Sequence, residues 1–109
     1  MIFLERVLKL NGETEPVDLS IRIHKPIEDQ ESWKCDYEIG WPGGQRKGHA
    51  MGVDAIQSLW LAMQKIGAEL YTSEAHRSGN LKWLKRGDGY GFPLPSGIRD
   101  LYEGNDRLQ

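Results

Sequence analysis

The sequence predicts a small α+β fold: an antiparallel sheet of about five strands running as a meander, one long helix across one face, and a short C-terminal helix. Three observations predict it. Apolar and polar residues alternate with period two in three early segments, the signature of half-buried strands. A later segment carries apolar residues at helical spacing. A sheet with one apolar face needs a cover, and that helix can supply it. With 109 residues, 39% hydrophobic and 28% charged, the chain suits one domain over 1–109 with a modest core of its own.

In "MIFLERVLKL" Ile2, Leu4, Leu8 and Leu10 share one parity, with Glu5 and Lys9 on the other and Arg6 as the exception on the apolar side. Asn11-Gly12 signals a turn, and Glu13 to Pro16 extends it into a longer loop. Strand two then places Val17, Leu19, Ile21 and Ile23 inward and Asp18, Ser20, Arg22 and His24 outward, and Pro26 ends it. "IEDQES" reads as a polar loop. Trp33, Cys35, Tyr37 and Ile39 form the buried face of a third strand, with Trp33 and Tyr37 largely buried. "WPGG" at 41–44 suits a type II turn with a positive φ at Gly43, leading to a weaker strand over Gln45 to Met51.

Asp54 with Gln57 resembles a capping box. Ile56, Leu59, Trp60, Met63, Ile66, Gly67 and Leu70 follow as one apolar stripe, so the helix runs from about 54 to the low seventies, with Gly79 as its outer limit. "LKWLK" at 81–85 reads as a fifth strand. Ser96 to Glu103 reads as a short helix with Ile98, Leu101 and Tyr102 on one side.

Composition argues against several partners. A net charge of −2 gives no general field for nucleic acid or an anionic membrane. The basic stretches "QRKGH" and "LKWLKR" lie near aromatics but in no recognisable nucleic-acid motif. No segment approaches the roughly 20 apolar residues of a membrane span, and Glu5, Arg6 and Lys9 interrupt the N-terminal run too early for an export signal. Cys35 is the one cysteine, which fits a reducing compartment, by default the cytoplasm. His24, His49, His76 and Cys35 fall in no metal-binding spacing, so neither metal nor cofactor is expected. No serine sits in a nucleophile elbow, and no acid pairs with a base by spacing, so no catalytic residue is assigned.

"GDGYGFPLPSG" at 87–97 is glycine-rich, as a phosphate-binding loop would be. It does not open into a helix, and Phe92, Pro93 and Pro95 favour extended backbone. A structural loop pinned by Tyr90 and Phe92 is the expectation, and Asp88, Gly89 and Tyr90 are the ligand-binding alternative. Leu61 lies nearly opposite the centre of the helix stripe and should face out, and Trp41 should sit at a hairpin tip. Both are candidates for a protein interface.

"GVDAIQSLWLAMQKIGAELY" followed by "GDGYGFPLP" resembles small bacterial proteins grouped as a domain of unknown function, a resemblance that covers most of the chain and implies no activity. Gly52, Asp54, Ala55 and Leu59 also resemble, faintly, the turn into the helix of HicB-type antitoxin domains. Two functions are therefore carried forward. One is a non-catalytic module that binds a protein or a second copy of itself, as an antitoxin or immunity factor would. The other is a small enzyme or ligand-binder built on Gly87–Gly91.

Overall fold

Strand alternation fixes which residues face the core, and backbone pairing then sets the order of the sheet. The computed structural model describes residues 2–12, 14–85 and 87–108, with Phe3 and Leu108 described by backbone alone. β1 (Ile2–Asn11) pairs antiparallel with β2 (Pro16–His24), Leu8 opposite Leu19. Their turn is closed by the Gly12 N–H donating to the Glu15 carbonyl at 3.2 Å. Glu13 of the expected loop lies outside the described residues. A short β3 (Ile27–Asp29) folds back onto the start of β4 (Ser32–Ile39), whose second half pairs with β2. β5 (Arg46–Gly52) runs antiparallel along the other edge of β4. β1, β2, β4 and β5 thus form the expected meander. β6 (Leu81–Lys82) returns to the far side of β1, opposite Leu10 and Lys9.

The sheet therefore has six strands, one more than expected. β3 was hidden in the polar loop because all three of its residues are exposed, so it has no buried face to impose alternation. Its hairpin turns at Gln30, whose φ is +60°. The expected strand at 81–85 shortens to two residues, because Trp83 turns in over Arg6 instead of continuing the ladder. At "WPGG" the Gly44 N–H closes the turn onto the Trp41 carbonyl at 3.1 Å, but the positive φ belongs to Gly44 and not Gly43. The turn is not type II.

The helix α1 (Ala55–Tyr71) starts where its cap predicts. The Asp54 side chain accepts from the Gln57 N–H at 2.7 Å, and Gln57 Oε1 reaches back to the Val53 N–H, also at 2.7 Å. α2 (Glu74–Arg77) follows at once. It is closed at Gly79 by paired bonds from the Gly79 N–H to the His76 carbonyl and from the Asn80 N–H to the Ala75 carbonyl. The expected short C-terminal helix is a 3₁₀ turn over Ser96–Leu101 broken at Ile98, followed by a second over Gly104–Leu108, with Tyr102 buried between them.

α1 packs on β4 and β5. Leu8, Leu19, Ile21, Ile39, Ile66, Leu70 and Leu94 are fully buried, and each such side chain stabilises the fold by about 1.5–3 kcal/mol relative to exposure. Tyr37 is buried, whereas Trp33 is half-buried. The buried arc of α1 includes Ser58, Ala62, Ile66 and Leu70, which rotates it away from the expected stripe. Ile56 and Trp60 consequently stay 79% and 45% exposed. Leu61, expected outward, is half-buried against the core. One turn further on, Lys65, itself exposed, donates to the His49 carbonyl of β5 at 2.8 Å, so that flank of the helix lies along the sheet edge. On another flank a Cβ at Gly67 would fall on the Pro93 carbonyl oxygen, which lets the C-terminal segment lie directly on the helix. Among the described residues no helix is long and apolar enough to cross a membrane.

Candidate functional site

The glycine loop does hold an anion, and the anion is the chain's own Asp106. The N–H groups of Tyr90 and Gly91 donate to the two Asp106 carboxylate oxygens, each at 2.8 Å, and the Tyr71 hydroxyl donates to the same group at 2.6 Å. Asp106 is 2% exposed. Gly89 and Gly91 have φ of +84° and +76°, the left-handed region that glycine enters without steric cost. A Cβ at Gly89 would collide with the Asp106 carboxylate, so this glycine is required twice over.

Arg6 grips the loop from the sheet side. Its Nη1 donates to the carbonyls of Tyr90 and Gly91 at 3.1 and 3.0 Å, and its guanidinium lies 3.9 Å from the Trp83 ring centre and 4.8 Å from that of Phe92. Burial lowers the Arg6 pKa, and the Asp106 charge opposes that shift. The cation on the apolar parity of β1 thus has its partners in a loop more than eighty residues away.

Of the ligand-binding alternative, Gly89 and Tyr90 are buried and face inward. Asp88 is half-buried, and its carbonyl accepts from the Asn105 N–H at 3.2 Å. The Tyr90 hydroxyl bonds His76 Nδ1, and His76 Nε2 lies 3.1 Å from a Glu103 oxygen. Tyr71 packs on His76 and Tyr90 with ring centres 4.9 and 5.1 Å away. Burial first, and nearby carboxylates second, push the Tyr71 and Tyr90 phenols above their ordinary range. At neutral pH both keep their protons and act as donors. A small cleft beside this cluster is lined by Arg77, Lys82 and Lys85. Arg86 of the basic stretch lies outside the described residues.

The other titratable groups are engaged separately. His24 Nε2 lies 2.6 Å from a Glu38 oxygen, and that bond holds the Glu38 carboxyl below its usual range. Glu69 accepts from the Tyr37 hydroxyl at 2.5 Å and from Arg46 Nε at 2.8 Å. Cys35 is buried and its thiol is pushed up to about 11, chiefly by desolvation. Among the described residues no three His, Cys, Asp or Glu side chains gather as a metal ion would need.

The two interface candidates are less open than their sequence positions suggest, since Trp41 and Leu61 are both half-buried and packed against the core. The open apolar surface lies elsewhere. Ile56, Trp60 and Met63 follow one another along α1 at i, i+4 and i+7, which puts them on one face. Met63 also lines a cavity of about 220 Å³ with Leu4, Arg6, Ile21, Ile23 and Phe92. Leu4 at its mouth is 46% exposed. Beside it, β1 from Ile2 to Leu8 pairs with β2 but not with β6, so its outer edge carries no strand among the described residues. Periodicity missed this surface because it assigned Ile56 and Trp60 to the core. Arg6 among the leucines of β1 was the available signal that this face is not uniformly covered.

No curated protein and no solved structure matches this sequence. The model of a family described as a domain of unknown function, DUF6968, matches residues 4–94, and it lends no support to the HicB likeness. That match runs from Leu4 within β1 through the other five strands, both α-helices and the loop up to Leu94, and the chain belongs to the DUF6968 family.

Proposed function

We propose that the protein is a non-catalytic module that binds another protein, in the manner of an antitoxin or immunity factor of a bacterial cytoplasm. The observation that carries this reading is the open apolar surface formed by Ile56 and Trp60 on α1 and continued by Met63 and Leu4 around the cavity. A contiguous apolar surface on a folded chain marks an interaction site, and tryptophan is enriched among residues that dominate binding energy. Cys35 as the lone thiol supports the cytoplasmic setting, and the net charge of −2 favours a protein partner over nucleic acid or membrane.

The test is the double variant Ile56→Glu, Trp60→Glu. Both side chains are exposed, so each substitution should change stability by no more than about 0.5 kcal/mol, while a charge in the contact must be desolvated. The wild type should retain a discrete protein that the variant releases. Equal retention by both would remove this surface from the account. The competing reading, a small enzyme or ligand-binder on Gly87–Gly91, predicts instead that phosphate, nucleotides or divalent ions raise the melting temperature, and that Asp88→Ala abolishes the rise.

A further inference from the structure

We infer that the cavity between β1 and α1 receives the C-terminus of a partner chain, with the terminal carboxylate on Arg6 and an apolar last side chain among Leu4, Ile23 and Met63. This rests on the protein-binding reading above and names what is bound. Three features carry it. The cavity holds about 220 Å³, below the roughly 300–1,000 Å³ of sites that enclose a whole small molecule and suited to a single side chain. Its walls are apolar apart from Glu5, Arg6 and the Gly91 backbone; the Glu5 carboxylate is taken up by Arg22 Nε at 2.8 Å, which leaves Arg6 as the cation facing an incoming group. Arg6 commits Nη1 to the loop carbonyls, and among the described residues its Nε and Nη2 make no hydrogen bond. Those two donors form the fork that a carboxylate meets with two parallel bonds.

The third feature is the free edge of β1. An incoming segment can add to it as an antiparallel or parallel strand, using the unpaired N–H and C=O groups between Ile2 and Leu8. Alternate side chains of such a strand point to the core face, where the cavity opens. Main-chain pairing would supply much of the affinity, the cavity the preference for an apolar last residue, and Arg6 the requirement for a free carboxylate. Leu4 and Val7, exposed on this edge strand, are the kind of residues that an unprotected edge otherwise avoids.

The experiment selects from a pooled random hexapeptide library, acetylated at the N-terminus, prepared once as C-terminal free acids and once as C-terminal amides. The free-acid pool should enrich Leu, Ile, Val, Met or Phe at the last position, and the enriched peptides should bind at least tenfold more weakly as amides. Leu4→Asp, which sets a like charge at the exposed mouth, and Met63→Trp, which fills the cavity, should each abolish binding, and denaturant unfolding checks that each variant is folded. No enrichment at the last position, or equal binding of acids and amides, overturns the proposal. So does octanoate shifting the NMR signals of Leu4 and Met63 where no peptide does, since the site would then serve a small carboxylate. If the peptides fail while the Ile56/Trp60 variant still loses its protein partner, the terminal-carboxylate mode falls and the protein-binding reading stands.

Discussion

Removing the Asp106 carboxylate should be among the most damaging single changes in this chain, although the residue lies in an unremarkable polar tail. In Asp106→Ala three donors lose their acceptor: the Tyr71 hydroxyl and the Tyr90 N–H, both buried, and the Gly91 N–H, which is partly buried and can turn to water. A buried donor left unpaired costs about 1–3 kcal/mol, so two of them cost about 2–6 kcal/mol, and the recovered desolvation of the charge offsets part of this to give a loss of about 2–4 kcal/mol. That is a large part of the roughly 5–15 kcal/mol by which small domains are stable. Asp106→Asn keeps the shape and one acceptor oxygen but turns an amide NH₂ toward a donor, so it should lose about 1–3 kcal/mol. Urea unfolding of the three proteins, followed by tryptophan fluorescence, measures both losses as shifts in midpoint at constant m. An Asp106→Ala protein within about 0.5 kcal/mol of wild type, the range of ordinary surface changes, would refute the view that the loop is organised around this carboxylate.

Gly67→Ala should destabilise by about 1–2 kcal/mol, since the overpacking cost against the Pro93 carbonyl exceeds the roughly 1 kcal/mol that alanine adds inside a helix; a more stable variant in thermal unfolding would contradict the close approach. Cys35, with its thiol pushed up to about 11 and its side chain buried, should react with a disulfide reagent at pH 8 only as fast as the protein unfolds, and rapid stoichiometric labelling of the native state would show otherwise. The phenols of Tyr37, Tyr71 and Tyr90 are held above their ordinary value near 10, so the native state keeps protons that the unfolded chain releases. Their contribution to stability is fully present below pH 10 and falls as pH rises past it, and urea midpoints that stay level from pH 9 to 11 would contradict this.

The strands that bury one face were legible because burial imposes alternation: Leu19, Ile21 and Ile23 in β2 and Cys35, Tyr37 and Ile39 in β4 were assigned correctly from spacing. β3 was not, because an edge strand exposed on both faces is under no such constraint. The helix was placed by its Asp54 cap, but its buried arc was misjudged, because periodicity weighs Ile56 and Trp60 by hydrophobicity and cannot know that small Ser58 and Ala62 are what fit against the sheet. The pinning of the loop by Tyr90 and Phe92, both buried, was readable from its aromatics. The loop's organising group was not, since Asp106 stands fifteen residues beyond Gly91 with no spacing rule to join them. Arg6 was visible as an anomaly whose explanation needed the fold.

The claim that α1 presents a protein interface is tested most directly by site-specific photocrosslinking in producing cells, with a photoreactive phenylalanine analogue at Ile56 or Trp60 and, as control, at Asp18 on the opposite parity of β2. The account predicts a discrete crosslinked protein species from positions 56 and 60 that is absent from position 18, with mass spectrometry identifying a partner chain or a second copy of this one. No crosslink from either helix position, or the same products from all three, would contradict it.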